Sequence, residues 1–162
     1  MARLLVVHHS PTRSTRALLE AASAGAGDPA IDGVEVVVRP ALEATADEVL
    51  DADGYLLGTT ANFGYMSGAL KHFFDSTFLA VGGQLDGLPD GEGPSTAGRP
   101  FGLFVHGRYD TVGAVRSVLS IVGGLRWTQA AEVLDVLGEV TEAHRERAYE
   151  LGATVSALLS DT

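Results

Sequence analysis

The sequence predicts an α/β protein, a doubly wound parallel sheet with helices on both faces. Three observations carry this. Short, continuous apolar runs alternate with helix-length amphipathic segments. The spacing leaves no room for hairpins between the runs. Polar loops rich in hydroxyls or glycine follow the first, third and fourth runs, where such sheets hold ligands. The 162 residues suit one domain with its own core.

Each element has its own local reason. Residues 4–7 (Leu-Leu-Val-Val) form a β-prone run expected of a strand covered on both sides. Residues 16–24 read as a helix with Leu18, Leu19 and Ala22 toward the sheet, ended by Gly25, Gly27, Asp28 and Pro29. Residues 34–38 are the second strand. Thr45 and Glu48 then make a capping box for a short helix over 45–51. Residues 54–57 are the third strand. Ser67 caps a helix whose Leu70, Phe73, Phe74, Thr77 and Phe78 share one face. Residues 82–98 form a Gly- and Pro-containing surface loop. A fourth strand over 101–105 and a helix over 111–122 follow. The fifth strand falls within 127–136, split or preceded by an irregular segment, and a last helix spans about 140–159. That helix turns Ala148, Leu151, Val155, Leu158 and Leu159 inward.

Composition narrows the function. A net charge of −10 argues against nucleic-acid binding, which needs clustered cations. The acidic surface serves solubility, or steers the protein toward basic partners. No cysteine is present, so thiol nucleophiles, Cys-based zinc sites, iron–sulfur clusters and disulfides are all excluded. The apolar stretch after Arg3 is too short for a signal peptide, and no apolar run could span a bilayer. A cytoplasmic protein without membrane attachment is expected.

Two segments carry the chemistry. Ser10, Thr12, Ser14 and Thr15 crowd four hydroxyls between the first strand and a helix start, with Arg13 and Arg16 adding positive potential. Free amides at a helix N-terminus attract anions, and hydroxyls add donors. A helix cap needs only one of the four, so the turn reads as a phosphate site. The loops formed by Thr59, Thr60, Ala61, Asn62, Phe63 and Gly64, and by His106, Gly107, Arg108, Tyr109 and Asp110, would flank a flat ring system. Asn62 and Gly64 tolerate unusual backbone angles, and Phe63, Tyr65, Met66 and Tyr109 offer cover for its faces. Phe63 and Met66 could equally pack into the core beneath the loop.

Rival motifs are absent. There is no G-x-x-x-x-G-K-[ST] loop, no G-x-G-x-x-G after the first strand and no G-x-S-x-G elbow. The third strand ends in Gly58-Thr59-Thr60, without the acceptor Asp of a phosphorelay receiver. His8 and His9 point to opposite faces, so no metal site is expected.

These residues carry a resemblance. Ser10-x-Thr12-x-Ser14-Thr15 resembles the flavodoxin phosphate loop. Gly58-Thr-Thr-Ala-Asn-Phe-Gly-Tyr-Met-Ser-Gly-Ala-Leu-Lys-His-Phe-Phe-Asp75 resembles the ring-binding region of flavodoxin-like NAD(P)H-dependent FMN reductases and quinone reductases. The resemblance implies a flavodoxin-like five-stranded sheet of order 2-1-3-4-5 and non-covalent FMN. The phosphate would sit on residues 10–15, and the ring between 59–65 and 106–110. It further implies an oxidoreductase using NAD(P)H as co-substrate to reduce a flavin, quinone or similar small acceptor, with no obligatory catalytic side chain. An electron carrier handing electrons to a redox protein is the alternative, and a partner-binding module that has lost FMN is a third class. A homodimer is also an expectation, and the apolar helix at 111–123 reads equally as a dimer surface or as a sheet-covering face. Arg13 stands where the phosphate loop has glycine, and Thr60 where the reductase pattern has proline.

Overall fold

A computed structural model describes residues 1–86 and 94–161. Part of the expected surface loop, residues 87–93, lies outside the described residues. The elements run β1 (Ala2–His8), α1 (Arg13–Ala26), β2 (Val34–Pro40), α2 (Ala46–Asp51), β3 (Gly54–Asn62), β4 (Tyr65–Met66) and α3 (Gly68–Thr77). They continue with β5 (Pro100–Gly107), α4 (Val112–Gly124), β6 (Thr128–Gln129), β7 (Leu134–Leu137) and α5 (Glu142–Ser160).

The main sheet is parallel, in the order β2-β1-β3-β5, and both β6 and β7 pair with β5 at its far edge. The two short pieces are the split fifth strand, so the expected order 2-1-3-4-5 holds. One addition is antiparallel: β4 folds back on the end of β3, pairing Ala61 with Met66 and Asn62 with Tyr65. The expected loop beginning at Thr59 is therefore strand as far as Asn62, followed by a tight hairpin.

Alternation along each strand divides the core. Leu4, Val6, Leu56 and Phe104 pack with Leu18 of α1 and with Leu151 and Val155 of α5. Leu5, Val7, Leu57, Leu103 and Val105 face Val49 of α2, Phe73 of α3 and Val118 of α4. Central strands buried on both sides need continuous apolar sequence, which is why β1 reads as it does. Within α5, Ala148, Leu151, Val155 and Leu159 are buried, but Leu158 is 44% exposed. Leu158 lies at the border of the apolar stripe, so its inward assignment is corrected.

Local sequence sets the helix starts. Thr45 and Glu48 form the expected reciprocal box on α2, and Ser67 Oγ accepts the Leu70 N–H at 3.1 Å on α3. At the amino edge of the sheet, Tyr55 stacks on Trp127 with ring centroids 3.8 Å apart. Trp127 Nε1–H donates to Thr96 Oγ1, and the Arg99 guanidinium bonds the Val49, Leu50 and Ala52 carbonyls. That edge is closed by side chains.

Candidate functional site

Strand order reverses between β1 and β3, and ligands of open α/β sheets lie outside the carboxyl ends at such a point. The register brings the three chemically interesting strand ends together. His8 pairs with Gly58, and Thr60 pairs with His106. Residues 9–12 leave β1 here, with the His9 N–H donating to the Gly58 carbonyl at 2.9 Å.

Helix α1 begins at Arg13, earlier than expected, with Thr12 as its cap. The Thr15 N–H donates to Thr12 Oγ1 at 3.1 Å, and the Thr12 N–H to Thr15 Oγ1 at 3.2 Å. Two of the four hydroxyls thus serve the capping box, and Thr15 is fully buried. Ser10 Oγ lies 3.0 Å from His8 Nδ1. Arg13 occupies the first helical position and is absent from the residues of positive φ, so replacing glycine there carries no backbone strain. The first turn holds no acidic residue, as in α3 and α4, whereas α2 and α5 carry Asp47, Glu48 and Glu142 there. Neither Arg13 nor Arg16 has a carboxylate partner among the described residues. The positive end of the helix dipole is left uncompensated, which suits an anion.

The hairpin makes the second wall. Phe63 (φ 51°) and Gly64 (φ 78°) are its two central residues, the pattern of a type I′ turn, which matches the twist of the strands. Gly64 takes the unusual angle expected of it, but the second such residue is Phe63 and not Asn62. Left-handed backbone is disfavoured for a bulky residue, so Phe63 holds local strain. Its side chain stands fully exposed, whereas Met66 is buried. The two readings left open by sequence are divided: Met66 belongs to the core and Phe63 does not.

Thr59 anchors the hairpin base. Its hydroxyl donates to the Thr60 carbonyl at 2.8 Å and accepts the Ser67 N–H at 3.0 Å. Next to it, Thr60 Oγ1 is buried without a protein partner.

A groove of about 280 Å³ lies between the hairpin tip and the turn after β5, lined by Ala61, Phe63, Gly64, Arg108, Tyr109 and Asp110. Tyr109 is 82% exposed, and the Arg108 guanidinium lies 5.5 Å from the centre of its ring. Asp110 Oδ1 accepts the Val112 N–H at 3.0 Å and so starts α4 in place of Thr111, which makes no side-chain cap. His106 is on β5 and not in the loop. Its Nε2 is 2.6 Å from the Gly138 carbonyl, and a carbonyl only accepts, so Nε2 carries the hydrogen. Gly107 is buried beneath the turn. A second shallow groove is lined by Tyr65, Gly113 and Arg116.

The sequence reading missed Gly113 and Gly138. Nothing in the local pattern marked either one. Among the described residues no three His, Asp or Glu side chains could hold a metal, and no helix is long and apolar enough to cross a membrane. A more apolar hollow of about 430 Å³ lies between α3 and α4, lined by Phe74, Phe78, Leu79 and Ile121. It is lined by none of the carboxyl-edge residues.

These features define the class of the molecule as a flavodoxin-like fold. No protein-family model matches the chain. It is similar to a flavodoxin of Aquifex aeolicus (strain VF5), 34% identical over 87 residues. That match spans about half the length of each protein, 54% of this chain and 46% of the relative. A flavodoxin from the domain Archaea has the same fold at a TM-score of 0.78, covering 97% of this chain and 98% of that one at 19% identity. A flavodoxin, WrbA-like protein from Agrobacterium tumefaciens matches at 0.73 over 99% of each chain, at 17% identity.

Proposed function

We propose that the chain binds FMN at the carboxyl edge of its sheet and transfers electrons through it. One observation carries the reading: an acid-free helix N-terminus, with Arg13 and Arg16, follows β1 at the same carboxyl edge of the sheet as a groove walled by the exposed Phe63 and Tyr109. The residues present fit that group. Free amides and Ser14 at the start of α1, with Ser10, suit a phosphate dianion. Thr60 Oγ1, buried without a partner next to Ala61 of the groove wall, is a hydrogen-bonding atom still to be satisfied close by. Ala61, Phe63 and Gly64 line one wall and Arg108, Tyr109 and Asp110 the other, and on this reading Thr59, Asn62, His106 and Gly107 contribute backbone alongside them.

Bound FMN supplies reversible one- and two-electron chemistry, and the protein supplies orientation and electrostatics. The hairpin presents backbone groups and an aromatic face. Arg108 places a positive charge beside the groove, which favours an electron-rich ligand. Purification in the presence of FMN, followed by gel filtration and a visible spectrum, tests the reading. A yellow protein with one FMN per chain is expected; a colourless one overturns it.

A second reading, reduction of a small acceptor by NAD(P)H, is favoured by Arg108 and Arg116. Neither has a carboxylate partner among the described residues, and each lines a groove, Arg108 the one at the hairpin tip and Arg116 the one beside Tyr65, that could take an anionic co-substrate. Oxidation of NADH or NADPH by the FMN-loaded protein with a quinone present supports this reading. Reduction only by dithionite or by a redox protein supports the carrier.

A further inference from the structure

We propose that His8 sets the donor state of Ser10, so that phosphate binding in the turn is coupled to a hydrogen on His8 Nδ1. The inference rests on the reading that this turn holds the phosphate of FMN. It concerns regulation of that site by protonation.

The argument starts from the 3.0 Å contact between His8 Nδ1 and Ser10 Oγ. A hydroxyl has one hydrogen to give. If Nδ1 is bare, Ser10 donates to it and turns only lone pairs toward the phosphate site. If Nδ1 carries hydrogen, it donates to Ser10 Oγ, and the Ser10 hydrogen is free for a phosphate oxygen. A phosphate dianion accepts only, so it selects the second state. Neutral imidazole reaches that state by changing tautomer, and imidazolium is always in it.

The surroundings make the choice consequential. His8 ends β1 half-buried, between Pro40 of β2 and Gly58 of β3, neither of which titrates. The groups that bear on it are His9, its chain neighbour, and Glu43 in the turn after β2. Burial, reinforced by His9, holds His8 below the usual imidazole value, and Glu43 pulls the other way. Without ligand, His8 is therefore neutral near pH 7 and free to take either tautomer. The anion brings a nearby negative charge and a demand for the Nδ1 hydrogen, and both favour proton uptake.

The test measures FMN affinity from pH 5.5 to 8 by quenching of flavin fluorescence, for the full chain and its His8→Asn variant. The Asn amide places a permanent N–H donor near the Nδ1 position and does not titrate. Ionisation of the phosphate itself affects both proteins alike and cancels in their ratio. The ratio of wild-type to variant affinity should rise about three- to tenfold as pH falls across this range. With riboflavin, which lacks the phosphate, it should stay flat. Nitrogen-15 NMR of the wild-type histidines should show His8 Nδ1 gaining hydrogen when FMN is added. FMN binding with a pH-independent ratio, or a bare Nδ1 in the complex, overturns this inference alone. No FMN binding by wild type at any pH overturns the cofactor reading, and this inference with it.

Discussion

A β-carbon on Gly113 would sit 2.0 Å from the carbonyl oxygen of Gly64. The first turn of α4 thus supports the tip of the hairpin backbone to backbone, and this contact fixes the height of the groove wall. Gly113→Ala should lift the hairpin and weaken FMN binding about tenfold or more. The loss of global stability should be smaller, because the tip can move outward into solvent. Flavin titration and thermal unfolding of the same sample check both halves.

Phe63 presents the opposite balance. Its positive φ is costly for an aromatic residue, and its exposed ring contributes little burial to the core. Phe63→Asn, a residue that tolerates this turn, should stabilise the chain by about 0.5–1 kcal/mol and weaken FMN binding. Urea unfolding with and without FMN measures both. A stability gain with unchanged affinity would remove Phe63 from the site.

The hairpin base depends on Thr59. Thr59→Val preserves shape but leaves the Ser67 N–H buried without an acceptor, a loss of about 1–3 kcal/mol. The midpoint of denaturant unfolding should fall accordingly. Hydrogen exchange should accelerate at Ser67 more than at the start of β3.

How far the sequence revealed this architecture differs by element. Thr45 with Glu48, and Ser67 before an i, i+3, i+4 stripe, are short-range signals whose meaning barely depends on tertiary context; both were correctly read. The fifth strand is legible over 127–136 only as split or preceded by an irregular segment, and the fold takes the first form, as β6 and β7. The hairpin is not legible, because a type I′ turn usually announces itself by Asn-Gly, and Phe63-Gly64 lacks that mark. The hydroxyls of Thr12 and Thr15 look like ligand groups in the sequence, yet their spacing also builds a capping box, and the folded turn uses them so. Gly113 was invisible because its role lies in a contact with Gly64, far away along the chain.

Acid should weaken the fold modestly through Glu48. Partial burial raises its carboxyl, but bonds from the Thr45 N–H and from Arg39, at 2.6 Å, outweigh this and hold it below the ordinary range. A depressed carboxylate contributes stability above its unfolded value, near 4, and loses it as pH falls through the folded value. Both partners touch solvent, so the effect should not exceed about 1 kcal/mol. Glu48→Gln should flatten that part of the stability profile between pH 5 and 3, measured by urea unfolding.

The central claim is that FMN occupies the edge between the start of α1 and the hairpin tip. An NMR titration of the nitrogen-15-labelled chain with FMN tests it most directly. The account predicts saturable shifts in the amides of residues 10–15, 59–64 and 106–110, with little change around Trp127 at the opposite edge. Shifts centred on the α3–α4 hollow, or none at all, would contradict it.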